Sequence, residues 1–248
     1  VAADISRDGV RSRRLWDVLL EDVTQDAVAT LVSVTGRTVL DVVDVGGGTG
    51  GFAVPLATLG HNVTVVDPSP DALAAAQRRA AEVPVPLSVV QGEASSLAEM
   101  AGPATADLVI CHNVLEYVDS PADAMAGIAR VLRPSGVVSV LAANAVAAVL
   151  HHALAGRFTQ AGRLLPGAGA DSGLPRRFTL PELAELVEGA GLRPGQARGL
   201  RIFAGLVPGA LADGDAVAAA GLLSLERAAA TYPPLRDIAA QLHLLGHR

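Results

Sequence analysis

Residues 44–51, "DVGGGTGG", set a carboxylate and five glycines directly behind a run of apolar residues. Glycines at this spacing turn the backbone sharply between a strand and a helix N-terminus, where N–H groups and the helix dipole meet a ligand. Two fingerprints overlap in the segment. Gly46, Gly48 and Gly51 form G-x-G-x-x-G, which suits a dinucleotide and hydride chemistry. Asp44, Gly46, Gly48 and Gly50 form D-x-G-x-G-x-G, which suits S-adenosylmethionine and methyl transfer. Asp67, at the end of the next apolar run, is placed to accept hydrogen bonds from the ribose hydroxyls of an adenosine. It serves either ligand, so the turn and Asp67 together leave the choice open.

Charge makes the choice. Asp44 stands two residues before Gly46, where a carboxylate orders the glycine loop, attracts an ammonium or sulfonium, and repels a pyrophosphate. Glu93, in "QGEAS", adds a second negative charge. A dinucleotide is doubly anionic, whereas S-adenosylmethionine carries a positive sulfur and an ammonium. The acidic cradle therefore fits the methyl donor. The regional balance agrees: residues 36–145 carry 5 Arg against 11 Asp and Glu, while residues 151–205 carry 7 Arg against 4 acids. The basic region is a candidate face for an anionic acceptor. All 19 basic residues are Arg.

Other features bound the class. The lone Cys111 excludes an intrachain disulfide and a cysteine-built metal site, and no metal is expected. The tandem His151-His152 makes a poor ligand pair, because adjacent helix positions point about 100° apart. The segment "VAADISRDGVRSRRLW" has no apolar signal core, and no run is long enough to span a bilayer. A cytoplasmic protein is expected, with neither a membrane nor an obligate protein partner.

The elements that must position these residues follow from periodicity. Leu15, Leu19, Val23, Ala27 and Leu31 recur every four residues and predict a helix over 13–34. "TVLDVVDV", "NVTVVD", "PLSVV", "DLVIC" and "VVSVL" read as strands, with helices between them. Ser69-Pro70 and Ser120-Pro121 mark two helix starts, the second with Asp123 at capping-box spacing. Strand and helix alternating at this rhythm mean an α/β fold, a doubly wound, mostly parallel sheet between two helical layers. Beyond residue 145, "AVAAVLHHALAG" is helical, 157–177 is a long connection, and 179–191 is a helix starting at Thr179. "LRIFAGLV" reads as a strand, residues around 215–230 as a helix, and "QLHLLGHR" as a last strand. Four regions result: an N-terminal helical cap (1–35), a cofactor-binding core (36–145), a lid and substrate-facing insertion of helix and loop (146–200), and terminal strands with a helix completing the same domain (201–248).

The order and spacing of "DVGGGTG", Asp67, "ADLVICHNVLEYVDSP" and "VLRPSGVVSV" resemble the class I S-adenosylmethionine-dependent methyltransferases. That resemblance implies a three-layer Rossmann-like sheet with an antiparallel last strand. The flanks "VRSRRLW", "NAVAAVLHHALAGRF", "LPRRFTLPELAELVEGAGL", "GLRIF" and "LLSLERAAATYPPLR" are similar to one subfamily, the bacterial tRNA 5-carboxymethoxyuridine methyltransferases, which esterify a carboxylate on a modified wobble uridine. The resemblance implies Arg11 at the methionine carboxylate of the cofactor, backbone contacts from Gly46, Gly47 and Gly48, and Asp67 on the ribose. It also implies Ala94 and Ser95 at the adenine and His112 beside the cofactor. The acceptor is then tRNA, with a small-molecule acceptor of an O- or N-methyltransferase as the alternative.

Methyl transfer is an in-line displacement, so alignment and exclusion of water are the protein's main tasks. A carboxylate acceptor is ionised at neutral pH and needs no base. Arg176, Arg177 or Arg201 would then position it. A phenol or alcohol would need a base, and His112 or His151 is the candidate.

Overall fold

The computed structural model describes residues 5–165, 175–207 and 216–248, with side chains from residue 18 onward except at 216. Seven strands form one sheet: β1 (Asp41–Val45), β2 (Asn62–Asp67), β3 (Ser88–Gln91), β4 (Ala106–His112), β5 (Leu132–Ala143), β6 (Arg193–Leu200) and β7 (Gln241–His247). Their order is β3-β2-β1-β4-β5-β7-β6. Strands β1 to β5 pair in parallel, and the last strands run antiparallel, as the class I resemblance implies. The strand order reverses between β1 and β4, the place where open α/β sheets bind ligands. In register, Val45 faces Val66 on one side and Cys111 on the other. The glycine turn, Asp67 and His112 therefore emerge at the same edge.

The helices are α1 (Ile5–Thr35), α2 (Ala53–Thr58), α3 (Pro70–Glu82), α4 (Leu97–Ala101), α5 (Pro121–Val131), α6 (Ala145–Leu154), α7 (Phe158–Arg163), α8 (Leu180–Gly189), α9 (Ala216–Ala229) and α10 (Pro233–Arg236). Both serine-proline starts are realised. The Ser69 hydroxyl accepts from the Ala72 N–H at 3.2 Å, and the Ser120 hydroxyl from the Asp123 N–H at 3.2 Å. Each satisfies one N–H that the helix cannot.

The chain forms two compact units. One comprises Thr24–Ala142, Pro181–Gln196 and Leu244–Arg248. Its core is aliphatic: Val42, Val65, Leu108 and Ile110 of the sheet pack with Ala27 and Leu31 of α1 and Ala53 and Leu56 of α2. Strand β4 is buried at all seven positions, which accounts for the apolar run Leu108–Cys111 between Asp107 and His112. The N-terminal ends of β1 and β4, opposite the glycine turn, are tied by ions. The Arg133 guanidinium lies 2.8 Å from Asp41 and 3.0 Å from Asp107, and Arg37 lies 3.1 Å and 3.4 Å from the same two carboxylates. Burial would raise the Asp41 pKa, but hydrogen bonds from Asn62 and Arg133 and the charges of both arginines outweigh it and hold the group below its usual value.

The other unit comprises Val1–Val23, Ala143–Leu180 and Ala197–His243. Asn144 is its knot. Its side-chain amide donates to the carbonyls of Asp237 (2.9 Å) and Ala239 (2.7 Å), and its side-chain oxygen caps α6 through the Val146 N–H at 3.0 Å. Phe178 clips the chain on the other side, donating to the Ala143 carbonyl at 2.9 Å and accepting from the Ala145 N–H at 3.0 Å.

Several elements differ from the sequence reading. The strand expected at "LRIFAGLV" is absent; β6 ends at Leu200, and the strand lies over Arg193–Leu200 instead. Arg201 turns the chain with φ +57°. The N–H groups of Ile202, Phe203 and Ala204, which a strand would direct at a neighbour, donate to the Glu226 carboxylate at 2.8, 2.8 and 2.7 Å. A single buried side chain thus outcompetes β propensity. Strand β5 starts at Leu132 rather than 137, taking in "RPSG" with a register shift against Ala106 and Leu108. Helix α4 was not anticipated, and α7 lies inside the expected connection.

Glu226 is 1% exposed. Replacing it by Ala strands three N–H groups, and Glu226→Ala is expected to lower unfolding free energy by about 3–5 kcal/mol, measured by urea denaturation. Glu226→Gln, which keeps one acceptor oxygen, should lose less.

Candidate cofactor site

The turn after β1 is built by contacts that admit no side chain. Gly46 has φ +64°, and a Cβ there would lie 2.5 Å from the Val114 side chain. A Cβ on Gly47 would lie 2.6 Å from the Asp44 carboxylate. The Gly46 N–H donates to the Val66 carbonyl at 2.7 Å, holding the turn on β2. Asp67 closes the arrangement. One of its oxygens accepts from the Gly48 N–H and the other from the Ser69 N–H, each at 2.9 Å. A carboxylate oxygen has two lone pairs, so each retains one for a ligand hydroxyl.

Beside this turn lies a cavity of about 550 Å³, a size that takes a nucleoside-based cofactor. Of the residues expected at the cofactor, Gly46, Asp67, Ala94 and Ser95 line it. The 3-10 turn Ala94–Ser96 follows β3 directly and brings the last two into place. Glu93, Asp119 and Asp123 join Asp67 as lining carboxylates, and among the described residues no basic side chain lines the cavity. This donor set fits the cationic methyl donor and opposes a diphosphate. Asn113, Val114 and Tyr117, from the segment after β4, form a further part of the wall. The sequence reading uses Asp123 only as a helix-start signal and gives Asp119 no role. Both stand at the mouth because α5 begins there.

Asp44 lies elsewhere than on the wall. It is 1% exposed, beneath the turn against Gly47, and its Oδ2 has no hydrogen-bond partner among the described residues. Burial, then the charge of Asp67, pushes its carboxyl up to about 7. The negative field of the cavity at neutral pH therefore comes chiefly from the four lining carboxylates. Gly47 and Gly48 shape the turn without lining the cavity.

His112 ends β4, buried, with its Nε2 2.8 Å from the Ser139 hydroxyl and its ring edge-on to Phe52 at 4.9 Å. It is not among the lining residues. The Arg11 side chain lies outside the described residues. Arg176, Arg177, Arg201 and His151 belong to the other unit. There, burial, then the charges of Arg201 and His152, draw the His151 imidazole below its usual value. That direction favours the neutral imidazole, the form that accepts a proton. Among the described residues no group of three His, Cys, Asp or Glu is disposed to hold a metal. Burial, then Glu116 and Asp44, pushes the Cys111 thiol well up, so it is not a nucleophile.

The raised Asp44 pKa has a defined sign. Its native value lies above the unfolded one, so its contribution is most favourable below about pH 4 and is lost as pH rises through about 7. Asp44→Asn should gain stability relative to the parent chain between those limits, by up to about 4 kcal/mol. Urea unfolding across the pH range measures this; a pH-independent difference would contradict it.

Comparison with known proteins points to methyltransferases. The family model described as "Methyltransferase domain" matches residues 43–140. The chain is 33% identical over 121 residues to the tRNA 5-carboxymethoxyuridine methyltransferase of Escherichia coli K12, covering 48% of this chain and 46% of that protein. It is 35% identical over 162 residues to the ubiquinone biosynthesis O-methyltransferase of Ralstonia nicotianae, covering 64% and 65%. The chain spans about half the length of most of the curated relatives it matches. The fold is similar to a SAM-dependent methyltransferase from Methanosarcina mazei, with TM-score 0.59 at 15% identity over 86% of this chain and 93% of that one. Residues 43–140 thus match a methyltransferase domain, and the fold is one shared with S-adenosylmethionine-dependent methyltransferases of known structure.

Proposed function

We propose that this chain is an S-adenosylmethionine-dependent methyltransferase that esterifies a carboxylate on a modified tRNA wobble uridine. The observation that carries the first half is the cavity lined by Gly46, Asp67 and three further carboxylates, with no cation among the described residues. In this reading Asp67 holds the ribose, Ala94 and Ser95 flank the adenine, Gly46 meets the methionine moiety, with Gly47 shaping the turn behind it, and Arg11 pairs with the methionine carboxylate. When bound, S-adenosylmethionine supplies a methyl group activated by its positive sulfur. The chain's residues orient it and exclude water, and residues 146–200 supply the acceptor side. An ionised carboxylate acceptor needs no proton removed. Arg176, Arg177 and Arg201 hold it by charge. The similarity to the Escherichia coli tRNA enzyme supports this acceptor.

A second reading, O-methylation of a small molecule, is favoured by the longer match to the Ralstonia nicotianae ubiquinone enzyme. It requires a base, for which His112 and His151 are the candidates.

Incubation with methyl-labelled S-adenosylmethionine and total cell extract, fractionated into RNA and small molecules, separates the two. Label in tRNA, released by mild alkali as expected for an ester, supports the first. Alkali-stable label confined to the small-molecule fraction supports the second. Asp67→Ala should reduce incorporation at least about 100-fold by loss of ribose hydrogen bonds and turn geometry. No incorporation into any fraction would overturn both readings.

A further inference from the structure

The hairpin of α6 and α7 differs from the rest of the chain in two ways. No acidic residue occurs between Asp123 and Asp171, in a protein of net charge −6, while the hairpin carries Arg157 and Arg163 beside His151 and His152. Residues 154–160 are exposed without interruption, and they include Leu154 at 69% and Phe158 at 73%. Leu165, at the far end of α7, is 52% exposed. The tip is nonetheless firmly built. The N–H groups of Ala155, Gly156, Arg157 and Ala161 all donate to hairpin carbonyls at 2.8–3.1 Å. Ala147, Ala148 and Ala161 anchor the hairpin from its buried side. A fixed backbone therefore holds a leucine and a phenylalanine in water, with an arginine between them.

We propose that the α6–α7 tip docks on the surface of an anionic lipid bilayer, with Leu154 and Phe158 entering the acyl boundary and Arg157 and Arg163 meeting the headgroup phosphates. Large apolar side chains beside arginines, on an element with no opposing charge, are the composition of interfacial binding. Charge complementarity selects this occupant. An RNA duplex would engage the two arginines but leave Leu154 and Phe158 in water, and two cations neutralise too few phosphates for stable binding. A protein partner needs an interface of about 800 Å² per side, far more than a seven-residue tip offers. No described helix is long and apolar enough to cross a membrane, so the contact is peripheral.

The proposal does not depend on the methyl-transfer reading, because vesicle binding is measured without cofactor or acceptor. The full chain is mixed with phosphatidylcholine vesicles, with and without phosphatidylglycerol, and sedimented. Binding is expected only to the anionic vesicles, and it should fall with added salt. Leu154→Ser with Phe158→Ser should weaken it at least about tenfold. Arg157→Gln and Arg163→Gln should each weaken it about fivefold, which reads the electrostatic half separately. Circular dichroism should show all variants folded. Equal binding by the double serine variant and the parent chain would overturn the proposal, as would failure of the parent to bind anionic vesicles. So would tip variants that lose affinity for bulk tRNA while vesicles are ignored.

Discussion

The Asp67 carboxylate is the constraint on which the site depends. Its two oxygens take the N–H groups of Gly48 and Ser69, one from the turn after β1 and one from the start of α3. It thereby sets the distance between the two loops that define the mouth of the sheet. Because the same carboxylate faces the cavity, the element that organises the backbone is also the one that meets a ligand. This double use orders the site in advance: the side chain is already desolvated and oriented before anything binds, so little ordering remains to be done.

Negative charge in this site has two depths. Asp67, Glu93, Asp119 and Asp123 stand at the wall of the cavity, while Asp44 is sealed below the glycines. Electrostatic selection belongs to the first group, since a buried carboxyl with a pKa pushed up to about 7 is only partly charged near neutrality. Asp44 instead fixes residue identity: its carboxylate leaves no room for a side chain on Gly47. The overlapping fingerprints of residues 44–51 thus owe some positions to ligand and others to packing.

Much of the core was legible because its signals are local. The apolar runs of β1, β2 and β4, the serine-proline starts and the glycine turn each act over a few residues and took the form expected. What was not legible depended on distant partners. Nothing near "RIFA" indicates that Glu226 will claim its N–H groups, so β propensity pointed to a strand that does not form. Asp119 and Asp123 join the cavity only because α5 starts beside the 3-10 turn of residues 94–96, a tertiary fact. Asn144 caps α6 locally, yet its amide also binds the carbonyls of Asp237 and Ala239, more than ninety residues away in sequence, which nothing near it signals.

The central claim is that a carboxylate-lined cavity on this turn accepts a sulfonium nucleoside and rejects a diphosphate. Calorimetric titration of the full chain with S-adenosylmethionine and with NADH, at low and high salt, tests it most directly. The account predicts saturable binding of S-adenosylmethionine that weakens as salt screens the carboxylates, and no measurable heat from NADH at low salt. Tighter binding of NADH, or affinity for S-adenosylmethionine that rises with salt, would contradict it.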